Sequence, residues 1–162
     1  MRRRSFTKNY QGSQPVQNTA SAQITGGRMY PMINGIVKFT QTDKGVMVTA
    51  EISGLPHIQG MCSGGVFGFH IHEGTSCAGN AEDQFADTKM HYNPAQCAHP
   101  YHAGDMPPLF ENNGYAYMSF LTNRFTVNEI IGRTVVIHSR ADDFTTQPSG
   151  NSGIKIACGK IV

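Results

Sequence analysis

Alternation of apolar and polar residues with a period of two dominates this chain. In GVMVTAEISGL the residues Val46, Val48, Ala50 and Ile52 occupy every second position, so they share one face of a strand. SAQITGG and NGIVKFTQT read the same way upstream, and Asp43, Lys44 and Gly45 supply a hairpin turn between the second and third strands. VFGFHIHE is a fourth strand. About forty residues follow, from Gly74 to Asn113, with no helical or strand periodicity. A stretch that long inside a compact domain needs another source of order. Strands resume at GYAYMSFLT, RTVVIHS and IKIACGKIV, with TVNEIIG as one helical turn and DDFTTQPSGNSG as a second, shorter loop. Short strands, frequent turn signals and almost no helix predict an all-β fold, a Greek-key barrel or sandwich.

Composition narrows the function classes. The chain has 162 residues, enough for one domain with its own core. Arg2, Arg3, Arg4 and Lys8 lie in a segment without acids, while the rest carries 9 basic against 11 acidic residues. The folded body therefore lacks the basic face that nucleic acid requires, and residues 1–16 read as a disordered basic tail. No apolar run is long enough to span a bilayer, and none follows the opening arginines as a secretion signal would require. The expectation is a cytoplasmic protein without nucleic-acid or membrane partners. Four cysteines, Cys62, Cys77, Cys97 and Cys158, permit two disulfides, metal ligation or free thiols, and the absence of CxxC argues against a thiolate zinc site.

The histidines carry the candidate chemistry. Six of seven fall in three places: His70 and His72 on one face of the fourth strand, His91, His99 and His102 in the long loop, and His138 at the end of TVVIH. His57 stands apart after Leu-Pro and reads as a solvated surface residue. His99, His102 and Asp105 at steps of three, with His91, could complete a closed tetrahedral zinc shell. His70, His72 and His138, fixed on strands, form an imidazole set without thiolate that suits copper. A bound ion would also supply order to the long loop.

These residues resemble the copper–zinc superoxide dismutases. The family's GFHxHE stands here as Gly68-Phe69-His70-Ile71-His72-Glu73, its HxNP as His91-Tyr92-Asn93-Pro94, and its zinc motif as His102-Ala103-Gly104-Asp105. Val135-Val136-Ile137-His138 through Asp142-Asp143 and Gly150-Asn151 through Cys158-Gly159 complete five motifs in order. The resemblance implies an eight-stranded Greek-key barrel over residues 17–162, with a long metal-binding loop. It implies copper on His70, His72, His91 and His138, and zinc on His91, His99, His102 and Asp105, with His91 bridging as an imidazolate and acting as the catalytic proton carrier. Asp142 would link a zinc histidine to a copper histidine, and Cys77 and Cys158 would form the family disulfide. Cys62 and Cys97 are extra to that pattern and are either a second bridge or two free thiols. The implied reaction is dismutation of superoxide to oxygen and peroxide as copper cycles between +2 and +1. A homodimer is among the family's assemblies.

Two departures bear on rate. The family's channel arginine is Lys155, which keeps the charge but loses the planar fork. Ser149 stands where threonine is usual, and the segment from Phe144 to Ser149 carries no charge. These predict an open site with less focusing of the anion. The alternative from another class is a dismutase-like copper and zinc binding protein with little turnover. A mononuclear zinc hydrolase is a poorer fit, because Asp105 closes the zinc shell.

Overall fold

Residues 18–57, 59–60 and 64–162 are described by a computed structural model. Within them the period-two segments form β1 (Thr19–Gly26), β2 (Asn34–Thr42), β3 (Gly45–Ser53), β4 (Val66–Phe67), β5 (Phe69–His72), β6 (Leu109–Phe110), β7 (Ala116–Thr122), β8 (Thr134–His138) and β9 (Lys155–Lys160). One helical turn, α1 (Val127–Ile130), lies where TVNEIIG predicts it. The expected tail, residues 1–16, lies outside the described residues.

Seven strands form one antiparallel sheet in the order β5-β8-β9-β1-β2-β3-β7, and β4 pairs with β6. The two ends of the large sheet are joined through that small pair. β7 meets the β6 segment at the Asn112–Tyr115 bridge, β6 pairs with β4, and only Gly68 separates β4 from β5. The circuit is the all-β Greek-key arrangement expected, and it has eight strands when β4 and β5 are counted as one broken strand. Its core follows the alternation: Val37, Phe39, Val46, Val48, Ala50 and Ile52 are fully buried and form one cluster with Phe69, Ile71, Val135 and Ile137.

Three sequence readings need correction. VFGFHIHE is not one unbroken strand: the chain changes partner from β6 to β8 at Gly68. The stretch from Gly74 to Asn113 is not free of secondary structure, since it holds β6 and a single 3-10 turn at Ala86–Thr88. Two-residue strands leave too short a pattern to detect. His57 is not a solvated residue either. Its Nδ1 lies 2.8 Å from Oε1 of Glu111, a buried carboxylate that also accepts from the amides of Gly65 and Gly114.

β5 and β8 are buried on both faces, which the single-faced pattern elsewhere does not require. Their inner residues join the core. Their outer residues lie under the long loop, where Phe85, Val136 and Cys158 form a second small cluster against Cys77. The Cys77–Cys158 disulfide joins that loop to β9 across 81 residues of sequence. Cys97 is exposed on the loop, and Cys62 lies outside the described residues. Removing the bridge by Cys158→Ser is expected to lower the stability of the metal-free protein by about 2–5 kcal/mol. Urea unfolding followed by circular dichroism measures this, and an unchanged midpoint would show that the loop does not depend on the bridge.

Candidate metal centre

The period of two places Phe69 and Ile71 in the core and turns His70 and His72 to the opposite side. β5 is the edge of the large sheet, and the long loop covers that edge. The amide of Ile71 donates to Gly104 O at 2.9 Å, and Ile71 O accepts from the amide of Tyr92 at 2.8 Å. Isolated bridges pair His72 with His91 and His70 with Asp105. The unpaired edge of the strand thus aligns the loop histidines with the strand histidines. Gly104 must be small here, since a Cβ on it would collide with Ile71 O.

Side chains without a recognisable sequence signal hold the rest of the loop. Arg124 Nη1 donates to the carbonyls of Pro100, His102 and Asp105 at 2.8, 3.2 and 3.3 Å. Arg133 stacks 3.9 Å above the Tyr92 ring and donates to Glu73 O. Gln147, from the short loop, bonds both the amide and the carbonyl of His99. No spacing rule links these arginines or this glutamine to the histidines, because backbone carbonyls have no sequence signature.

All seven expected ligands come together, in two groups that share His91. Ligand atoms of His70, His72, His91 and His138 lie within 4.8 Å of one another, as do those of His91, His99, His102 and Asp105. In the first group, Nε2 of His72 and Nε2 of His138 are 3.2 Å apart. Their far nitrogens are committed, His72 Nδ1 donating to Lys89 O at 2.9 Å and His138 Nδ1 to Gly153 O at 3.3 Å. That fixes the tautomer and leaves Nε2 as a lone-pair donor. In the second group, Asp105 lies 2.7 Å from His91 Nδ1 and 3.3 Å from His102 Nδ1.

Asp142 couples the two groups. Its Oδ2 is 2.7 Å from His70 Nε2 and its Oδ1 is 2.9 Å from His99 Nε2, with no side-chain exposure at Asp142 or either histidine. Gly150 passes directly beneath: a Cβ there would overlap Asp142 Oδ1, and its φ of +67° also favours glycine.

Three buried nitrogens have no hydrogen-bond partner: His70 Nδ1, His91 Nε2 and His99 Nδ1. His99 Nδ1 lies 3.1 Å from Asp105 Oδ2, yet the geometry makes no hydrogen bond. Orphaned buried polar atoms are costly. All three belong to residues of the two clusters, where a cation would satisfy them. The donor sets fit the metals that the sequence suggested, four imidazoles for copper and three imidazoles with a carboxylate for zinc.

Burial disfavours the charged form of the three strand imidazoles. It is the main cause that drives His70 down to about 4 and His72 and His138 well below the usual histidine value, with neighbouring imidazoles adding to the effect at the last two. Burial alone would raise Asp142, but hydrogen bonds from His70, the Phe144 amide and His99 hold it below the ordinary carboxylate range. Neutral imidazole and ionised carboxylate are the ligand forms that metals require.

A family model described as copper/zinc superoxide dismutase matches residues 33–161. The chain belongs to the copper/zinc superoxide dismutase family. The superoxide dismutase [Cu-Zn] of Legionella pneumophila is 33% identical over 151 residues, covering 88% of this chain and 85% of that protein. Among solved structures, a double mutant of a SOD-like protein from Bacillus subtilis aligns with a TM-score of 0.69 at 28% identity, covering 86% of this chain and 94% of that one. The Brucella abortus Cu/Zn superoxide dismutase aligns with a TM-score of 0.74 at 23% identity, over 88% of this chain and 98% of that one, and supports the fold. One loop imidazole, that of His91, is common to both groups.

Two outcomes follow from the centre's hydrogen bonds and burial. The unfolded histidines titrate near 6.5, whereas the folded value at His70 is about 4 and those at His72 and His138 are also depressed. Below 6.5 the unfolded chain takes up protons that the folded chain refuses, so the stability of the metal-free protein falls as pH drops from 6.5 towards 4. Thermal melts in chelator across that range test this, and a flat Tm would count against neutral burial. Asp142→Asn is expected to weaken binding of both metals, by about 10- to 100-fold. Competition with chromophoric chelators measures each affinity, and loss at one group alone would mean that Asp142 does not couple them.

Proposed function

We propose that this protein dismutes superoxide to dioxygen and hydrogen peroxide, with copper held by His70, His72, His91 and His138 and zinc by His91, His99, His102 and Asp105. The observation that carries this reading is that both groups share His91, whose Nδ1 lies 2.7 Å from Asp105 while its buried Nε2 has no hydrogen-bond partner. The assignment of metals follows position as well as donor chemistry. His72, His91 and His138 line an open cleft of about 540 Å³, whereas His99, His102 and Asp105 do not line it. The redox ion needs access to substrate, and a closed four-ligand shell suits a structural ion.

Copper bound there supplies an electron sink for one superoxide and an electron source for the next, while zinc supplies fixed charge without redox chemistry. Across one cycle two superoxide anions and two protons give one dioxygen and one hydrogen peroxide. The protein's part is to position, protonate and exclude. His91 Nε2 takes up a proton in one half-reaction and releases it to the reduced product in the other, while Asp105 and the second metal group restrain Nδ1. His70, His72 and His138 stay in place on strands, their far nitrogens bonded to Asp142, Lys89 O and Gly153 O. A bulge between β8 and β9 sets Lys155 opposite His138, which brings its ammonium to the inner wall of the cleft.

Protein purified without added metals is expected to carry one copper and one zinc per chain and to consume superoxide in a cyanide-sensitive manner. Chelation should abolish activity and restoring both metals should recover it. Zinc alone, with no activity after copper loading, would sink the proposal.

A further inference from the structure

Three cations line the cleft, and their surroundings differ. Lys155 has the position of the family's channel arginine, but its Nζ lies 2.8 Å from Asp83 Oδ2 and 3.1 Å from Phe85 O. Asp83 also lines the cleft and is held below its ordinary value: burial acts against this, and Lys155 and the Phe85 amide outweigh it. Opposite charges 2.8 Å apart look like a small dipole from outside. Beyond a screening length of about 8 Å in physiological salt, such a pair exerts almost no attraction on an arriving anion.

Lys89 is different. It lines the same cleft, is exposed, and has no carboxylate partner among the described residues. The residues outside that description contain no Asp or Glu at all, so none of them can supply one. Its backbone is fixed beside the first metal group: Lys89 O accepts from His72 Nδ1, and the chain reaches His91 two residues later. The residue sits in a left-handed conformation, φ 60°, immediately after the 3-10 turn. Arg28, the third cation, likewise has no carboxylate partner among the described residues, but its guanidinium is tied through Nη2 to Asn80 O at 3.2 Å.

Given the dismutase reading above, we propose that Lys89 rather than Lys155 draws superoxide to the metal centre, and that Asp83 removes Lys155 from that role. Lys89 acts as an unpaired positive charge rooted on the backbone that carries the His72 contact. Lys155 acts at short range, on an anion already inside. Glu82, the other acid of the cleft, opposes Lys89 at its rim. The substrate class follows from the same geometry: small anions that fit an open cleft and gain from one unpaired ammonium.

The test compares Lys89→Gln, Lys155→Gln and Asp83→Asn as metal-loaded proteins whose copper and zinc contents match the parent. Superoxide decay is followed by stopped flow over a range of ionic strength. Lys89→Gln should lower kcat/KM about three- to tenfold and flatten its salt dependence. Lys155→Gln should change the salt dependence less, Asp83→Asn should raise the rate and steepen it, and Lys89→Arg should keep the parent profile. The association rate of azide, a small-anion probe followed optically by stopped flow, should fall more in Lys89→Gln than in Lys155→Gln, a readout separate from turnover. If Lys155→Gln loses as much salt dependence as Lys89→Gln, or Lys89→Gln loses none, the assignment is overturned. A parent protein without superoxide consumption would instead overturn the dismutase reading. The azide comparison still judges Lys89 in that case, and equal azide association rates would overturn its role.

Discussion

The centre depends on one buried carboxylate with two imidazole partners. Asp142 has two oxygens, and each is committed to the Nε2 of a different histidine. His70 comes from β5, and His99 comes from a loop with little regular structure. A carboxylate isolated at that depth would be expensive, and so would two imidazoles with unpaired N–H groups. Together they satisfy one another, and the arrangement leaves the opposite nitrogen of each ring, Nδ1, without a partner. The same hydrogen bonds that lower the cost of burying Asp142 also choose the tautomers and aim the vacant lone pairs. The glycine beneath, Gly150, is small because the carboxylate occupies the space a side chain would need.

The remaining structure makes that contact possible by covering a sheet edge. An exposed edge strand needs partners for its backbone groups. Here the partner of β5 is the segment carrying His91, Tyr92, Gly104 and Asp105, so ordinary backbone pairing sets the spacing between strand ligands and loop ligands. The loop therefore does not rely on ions alone for its order. Arg124, Arg133, Gln147 and the Cys77–Cys158 bridge each fix a different part of it. In this arrangement metal binding completes a site whose backbone is already placed, which lowers the ordering cost of binding.

Much of this was legible in the sequence, for physical reasons that also mark where legibility ended. Alternation in β2 and β3 is clear because each strand has one wet face and one dry face. It is weaker in β5 and β8, which are covered on both sides. The clustering of all seven expected residues was readable because imidazoles and a carboxylate are chemically distinctive and their spacing follows strand and loop geometry. Asp142 and the Cys77–Cys158 pair were readable only through family motifs. β6 was missed because two residues make no pattern. His57 was misread because its partner, Glu111, is 54 residues away. Arg124 could not be found at all, since its acceptors are carbonyls.

The electrostatics of the cleft show how far a motif can carry a role. A motif assigns Lys155 by position, and position is right: it lies opposite His138 and lines the cleft. Yet the field at the mouth depends on net charge, and net charge depends on what lies within a few ångströms. Asp83 is 72 residues from Lys155 in sequence and 2.8 Å from it in space. One acid in the loop is therefore enough to separate the place of a cation from its long-range effect. Charge attraction acts over distances where a paired cation is nearly invisible and an unpaired one is not. A single acid in the long loop can thus weaken the attraction exerted from β9 while every residue of the two clusters stays where it is.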